Sequence, residues 1–408
     1  MRFLFVHQNF PGQFLHLARH LAASGRHEIL FISEPNRNRI GGVRVVPYRR
    51  PAPVHVATHP AARELDGAAR RAEAVAKAGA TLKGLGFTPD IVIGHHGWGE
   101  LLNLADVWPS TPILGYCEYY YSVDGNDVGF DPEFPTEILD YPRIRAKNAV
   151  NLLALTSGAH GQTPTRWQFD TYPDWARKRI FLLPEGADLE RCKPDPAARK
   201  APLSIGGITI GPREKLVTFV ARDLEPYRGV HPMIRALPHL LKARKDLRVV
   251  MVGGDGVSYG VAPPRGTWRE SLLAEIGGVD PARVAFPGRV EYATYLQLLQ
   301  RSDAHVYLTY PFVASWSLRE ALACGCVVVG SDTTPVREFV TDGTNGRLAS
   351  FFDPRGLAAI VLELLEDRAQ ARRLRAGARA YAERALDLRE TIAGYEGLIR
   401  RLTGAAEI

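Results

Sequence analysis

Cysteine is scarce in this chain of 408 residues: there are four, Cys117, Cys192, Cys324 and Cys326. They are too few for a disulfide-built secreted scaffold. The one close pair, Cys324-Gly325-Cys326, is too tight for a zinc knuckle and has no second pair to complete one. Free thiols in a reducing compartment are expected. Long hydrophobic runs are also missing, and nothing approaches the roughly 20 apolar residues that cross a bilayer. At the N-terminus only Phe3 to Val6, four residues, form an apolar run, too short for a signal-peptide core. A cytoplasmic location is expected, with peripheral contact to the inner face of a membrane left open. No Gly-x-x-x-x-Gly-Lys-Ser/Thr occurs, which excludes a P-loop nucleotidase, and the first strand end carries only Gly12 of the three glycines of a dinucleotide fingerprint.

What is present is an ordinary globular composition, 46% hydrophobic and 23% charged, long enough for two domains. The net charge of +7 favours acidic partners such as phosphorylated ligands or anionic headgroups. A nucleic-acid partner is not expected, because no binding motif accompanies the charge. The densest basic run, Arg368 to Arg389, lies on an alanine-rich helical background and reads as a solvated helix face in preference to a membrane-contact strip.

Short apolar runs alternate with helical patterns. Phe3 to Val6, Ile29 to Ile32, Ile91 to Ile93, Pro112 to Leu114, Leu152 to Leu155 and Ile180 to Leu183 read as strands buried on both faces of a parallel sheet, and Ala62 to Leu85 as a covering helix. After a break rich in Pro and Gly near residue 200 the pattern restarts with Leu216 to Val220, Leu247 to Val252, Val284 to Phe286, His305 to Leu308 and Val327 to Val329. The expectation is an α/β chain of two doubly wound, Rossmann-like domains, residues 1–200 and 201–387, facing an interdomain cleft. The last helix, about 388–408, packs on either half.

Ligands of open parallel sheets lie at the carboxyl ends of strands, and the motifs sit there. His95-His96-Gly97-Trp98-Gly99-Glu100 follows one strand, and Glu118-Tyr119-Tyr120-Tyr121 opens an aromatic and acidic loop suited to carbohydrate. Arg222 and Arg228, six residues apart on a strand-to-helix loop, can converge on a diphosphate; ion pairing with Asp223 and Glu225 is the plainer alternative. In Tyr310 to Gly325 the loop amides before a helix can hold phosphate or sugar oxygens, and Ser317 with Glu320 fits a capping box.

Taken together these segments resemble the retaining glycosyltransferases of family 4, which have the GT-B fold. Glu320-Ala321-Leu322-Ala323-Cys324-Gly325 is similar to that family's Glu-Ala-Met-Ala-x-Gly signature, and Arg222 with Arg228-Gly229 to its diphosphate-binding Arg and Lys-Gly. The start, His7-Gln8-Asn9-Phe10-Pro11-Gly12-Gln13-Phe14, with His95 to Glu100 and Asp127 to Pro135, resembles a bacterial subgroup.

The resemblance implies a hexosyl transfer from a nucleotide sugar, of UDP or GDP type, with no metal or other cofactor. No Asp-x-Asp follows a strand to contradict that. Arg222 and Arg228 would neutralise the diphosphate, Glu320 would hold the ribose, and Arg289 and Val290 would flank the base. His95 would contact the transferred sugar and Gly12 would lie against a substrate. The acceptor, whether sugar, lipid-linked, protein or small molecule, would lie near Glu118 and Tyr120. Phe312 departs from the pattern, standing where the family has a second glutamate eight residues before Glu320. Ser315, Trp316 and Ser317 are the expected substitutes at the sugar. The departure leaves two alternatives, a protein that binds a sugar nucleotide without transfer and a sugar-nucleotide epimerase of the same fold.

Overall fold

A computed structural model describes residues 1–408. The chain divides into two compact units: Met1–Glu185 with Arg389–Ile408, and Gly186–Leu388. The second unit therefore begins before the break near residue 200. Cys192 lies inside its apolar core with Leu318, Leu322 and Cys324, so the proline-rich stretch that follows it is not a linker between domains. The last helix, Leu388–Thr403, falls with the first unit, where the Tyr395 hydroxyl lies 3.0 Å from Gln162 Oε1. No helix is long and apolar enough to cross a membrane.

The first unit is built on strands β1 (Arg2–Val6), β2 (Glu28–Ser33), β3 (Val43–Pro47), β4 (Ile91–His95), β5 (Ile113–Tyr116), β6 (His160–Thr163) and β7 (Ile180–Leu182). They form one sheet in the order β3-β2-β1-β4-β5-β6-β7, and every neighbouring pair is parallel. Phe3 to Val6 are fully buried, as expected of a strand covered on both faces. The helix Arg63–Gly84 turns Ala68, Ala72, Val75, Gly79 and Leu82 inward, the spacing of one helical face.

The second unit opens with an antiparallel hairpin, β8 (Leu203–Ile205) and β9 (Ile208–Ile210). A parallel sheet follows, made of β10 (Lys215–Asp223), β11 (Leu247–Gly254), β12 (Val284–Gly288), β13 (Ala304–Tyr307), β14 (Val328–Ser331) and β15 (Arg347–Ala349). Its order is β12-β11-β10-β13-β14-β15. In both sheets the winding reverses beside the first long strand, between β1 and β4 and between β10 and β13. Such switch points are where doubly wound sheets bind ligands.

Leu152 to Leu155 is not a strand: it lies in the helix Ala149–Thr156. Val150, Ala154 and Leu155 are buried at helical spacing, and the run holds one β-branched residue before its last position, so nothing favours the extended form. The strand at that place is β6, His-Gly-Gln-Thr, which carries no apolar run at all.

Candidate functional site

In the first unit Val6 pairs with Gly94 across the switch point, which sets His7 and His95 side by side at the two strand ends. Their rings lie 5.7 Å apart at 88°. His95 Nδ1 accepts the Gly97 N–H at 3.0 Å, so its remaining proton sits on Nε2, 3.4 Å from Glu118 Oε2. Trp98 and Tyr116 flank the same ring at 5.8 and 5.4 Å. His7 Nδ1 accepts the Asn9 N–H at 2.9 Å. Burial, then the charge of His95, lowers its pKa to about 3, so His7 is neutral and carries its proton on Nε2.

Gly12 is tied to this pair by shape. Its φ is +54° and a Cβ there would come within 2.9 Å of the His7 ring, so no larger residue fits. Tyr120 packs on the Tyr172 ring at 5.5 Å, against a small core that includes Cys117 and Leu155. Its carbohydrate-facing role gains nothing from that placement. His96 is a core residue, buried, with a pKa lowered to about 4 chiefly by desolvation. Glu100 closes the His95 to Glu100 motif, but sequence reasoning assigned it no role. It is fully buried, accepts the Tyr48 hydroxyl at 2.6 Å, and burial raises its pKa. Tyr48 is distant in sequence, so no local pattern could have paired them.

In the second unit Arg222 and Arg228 meet over one ring, their guanidinium carbons 6.0 and 4.9 Å from the centre of Tyr259. Neither of the carboxylates between them is their ion-pair partner. Asp223 Oδ1 takes Arg289 at 3.0 Å, and its Oδ2 accepts the Ser258 hydroxyl at 2.5 Å. Glu225, fully buried, accepts the backbone N–H groups of Ser258, Tyr259 and Gly260 at 2.9 to 3.3 Å. A buried carboxylate thus fixes the loop that carries Tyr259, and Tyr259 lies under both arginines. Arg228 is itself buried and donates to Thr309 Oγ1 at 2.9 Å and the Val313 carbonyl at 2.8 Å.

The helix after β13 spans Trp316–Ala323 with Ser315 at its N-cap, and no side chain caps it. The capping box expected of Ser317 and Glu320 does not form. Ser317 instead bonds Ser315 hydroxyl to hydroxyl at 2.7 Å, and the Ser315 N–H donates to the Tyr307 hydroxyl. Glu320 reaches two phenols: Tyr292 and Tyr295 each donate to one of its carboxylate oxygens at 2.7 Å. Burial raises the Glu320 pKa against the opposing pull of those hydroxyls. Phe312 is buried, 5.7 Å from Tyr227 and 5.0 Å from Tyr259. Arg289 is exposed at 73%, and Val290 packs on the core below it. All four cysteines are buried thiols.

Two family descriptions match the chain in succession. Residues 25–192 match the glycosyl transferase family 4 group, and residues 207–381 match the glycosyl transferases group 1. Both halves are glycosyltransferase-like. Phosphatidyl-myo-inositol mannosyltransferase of Mycolicibacterium smegmatis is 31% identical over 208 residues, 50% of this chain and 46% of that protein. D-inositol 3-phosphate glycosyltransferase of Nocardia farcinica is 32% identical over 212 residues, 51% of this chain and 44% of that protein. The chain thus spans about half the length of these curated relatives. Anabaena HepE, crystallised with UDP-glucose, superposes with a TM-score of 0.70 at 16% identity, over 98% of this chain and 100% of that one. The architecture is the GT-B fold.

Proposed function

We propose that the chain is a metal-independent, retaining glycosyltransferase of family 4 that moves a hexose from a nucleoside diphosphate sugar to a hydroxyl acceptor. The observation that carries this reading is the convergence of Arg222 and Arg228 over Tyr259 at the switch point of the second sheet. Two guanidiniums freed of ion-pair duty suit a diphosphate leaving group. The paired oxygens of Glu320, already set by two phenols, suit the two hydroxyls of a ribose. Arg289 and Val290 would flank the base. HepE was crystallised with UDP-glucose, which favours a uridine donor.

In this reading the second unit holds the nucleotide and lowers the barrier electrostatically. The guanidiniums take up the charge that develops on the β-phosphate as the anomeric bond breaks. The amides of Trp316 and Ser317 bind sugar oxygens where Phe312 cannot, the Ser315 N–H being held by the Tyr307 hydroxyl. The first unit offers the Nε2 proton of His95, backed by Glu118, to a sugar hydroxyl. The acceptor is a sugar, a lipid-linked, a protein or a small-molecule one; the names of the two relatives, a phosphatidyl-myo-inositol mannosyltransferase and a D-inositol 3-phosphate glycosyltransferase, favour an acceptor bearing inositol, on a lipid or free.

Phe312 supports the second reading, binding without transfer, because it removes a carboxylate from the sugar. The decisive measurement is nucleotide release and sugar transfer across UDP-, GDP-, ADP- and TDP-sugars, beside thermal shift with the same ligands. A raised melting temperature with turnover supports transfer, a raised melting temperature alone supports binding only, and no shift with any donor refutes both.

A further inference from the structure

The amino ends of the second unit's central strands carry a second cluster of cations, separate from the nucleotide site at the carboxyl ends. Lys215 opens β10 and Asp303 immediately precedes β13. A cavity of about 250 Å³ lies there, walled by Arg199, Lys215, Arg368, Arg372 and Arg375, with Asp303 as its one carboxylate. Asp303 is already spent. Arg199 bonds its Oδ1, while Arg301 and the Leu216 N–H reach its Oδ2 at 3.2 and 2.9 Å. Lys215 Nζ stands 3.8 Å from Oδ1.

Arg375 reaches only backbone there, donating to the Asp303 carbonyl at 3.0 Å, and its buried Nε has no hydrogen-bond partner. Burial and the charge of Arg199 lower its pKa to about 10. The nearby Asp246 is taken by Arg244 at 2.8 Å, and Glu366 stands 3.9 Å from that same guanidinium. Four guanidiniums and an ammonium around one carboxylate leave a net positive charge at the cavity, and like charges repel. The arginine-rich helix Arg368–Ala385 is therefore more than a solvated face. Arg375 and Arg379 turn inward onto backbone carbonyls, and Arg368 and Arg372 stand exposed at the cavity rim.

We propose that this cavity is a binding site for a phosphate group, carried by a soluble phosphorylated compound or by an anionic lipid headgroup. The cavity has room for the phosphate and part of its bearer, and guanidinium forks match phosphate oxygens. The site stands whether or not the chain transfers sugar.

The test uses the full chain with excess UDP present to occupy the nucleotide site. Inorganic phosphate is titrated against chloride at equal ionic strength, and sedimentation is measured with phosphatidylcholine vesicles with and without phosphatidylglycerol. The double variant Arg368→Ala/Arg372→Ala should weaken one of these interactions about tenfold, the loss of about 1.4 kcal/mol. The control Arg355→Ala/Arg384→Ala, equal in charge, should not. Loss of phosphate binding identifies a soluble ligand and loss of phosphatidylglycerol-dependent sedimentation a lipid one. The proposal is overturned if the unsubstituted chain binds neither probe, or if both double variants lose binding equally.

Discussion

Replacing Arg222 with alanine separates the chemistry from the fold more cleanly than any other change at the proposed nucleotide site. Arg222 is exposed near the carboxyl end of β10, whereas Arg228 is buried and bonded to Thr309 and Val313. Arg228→Ala would strip two charge-assisted bonds from a buried site and cost stability as well as activity, on the order of 2–4 kcal/mol. Arg222→Ala removes only its own position over Tyr259, and a surface change of that kind stays within about 0.5 kcal/mol of stability.

Its catalytic effect follows from the bonds a guanidinium makes to a diphosphate, on the order of 1.5–3 kcal/mol for a hydrogen bond between charged groups. At about 1.4 kcal/mol per tenfold, kcat/KM should fall roughly 10- to 100-fold. The loss should appear mainly in kcat if the contact strengthens as the leaving group gains charge. Arg222→Lys should recover part of it, keeping the charge without the fork. The assay is initial-rate nucleotide release with saturating and limiting donor, beside a melting curve of each variant. A kcat/KM within twofold of the parent at an unchanged melting temperature would refute the assignment of Arg222 to the diphosphate.

Because burial raises the Glu320 pKa, its carboxylate takes up a proton at a higher pH than an ordinary one. The donor KM should therefore begin to rise on acidification while most carboxylates are still charged, and Glu320→Gln should raise KM about tenfold and flatten that acid limb in a pH series. Gly229→Ala should lower the melting temperature sharply and remove donor binding with it. The φ there is +69° and a Cβ would meet Leu308 Cβ at 2.3 Å, a clash on the order of 1–3 kcal/mol or more. His96 and His305, buried with pKa lowered to about 4, stay neutral while the unfolded chain takes protons near pH 6.5. Stability is thus full above that pH and lost as pH falls towards 4, by about 2 kcal/mol per histidine at pH 5. Chemical denaturation at pH 7 and 5 should show a shallower loss in His305→Asn.

The central parallel strands were legible because both faces are covered and they read as apolar runs, as in Phe3 to Val6 and Val249 to Val252, whereas the less buried edge strands β3 and β15 were not among those expected. Nor was β6, since a buried strand of His-Gly-Gln-Thr gives no apolar signal. Gln162 is tolerated there because its amide donates to the Leu183 carbonyl and its oxygen lies beside the Tyr395 hydroxyl, a satisfaction visible only in three dimensions. At the candidate site the strand-end position of Arg222 and Arg228 was readable, but the partners of Glu320 were not. A glutamate three residues after a serine at a helix start fits a capping box whenever the helix begins one residue later. Here the helix begins at Trp316, so Ser317 lies inside it and Glu320 turns to Tyr292 and Tyr295.

Phe312 has a physical reason in its surroundings. Its ring stands edge-on to Tyr227 at 85° and lies 5.0 Å from Tyr259, completing an aromatic floor that also includes Tyr310 at 4.6 Å from Tyr227. A carboxylate at this place would have stood in the floor on which Arg228 rests and would have offered its guanidinium an opposite charge. An aromatic face attracts the cation by about 2 kcal/mol when desolvated but leaves its charge unspent. Glu225, the other acid at hand, is bonded to three backbone N–H groups and makes no ion pair with Arg228, although its charge still favours that cation. On the proposed assignment of Arg222 and Arg228 to the diphosphate, Phe312 in place of a glutamate gives up a contact to the sugar and leaves the Arg228 charge to the phosphate. Donors whose affinity rests on the diphosphate should suffer less from it than donors recognised by their sugar hydroxyls. A comparison of UDP with UDP-sugar affinities reads this directly: a small difference between the two is expected, and a strong preference for one intact sugar nucleotide would contradict it.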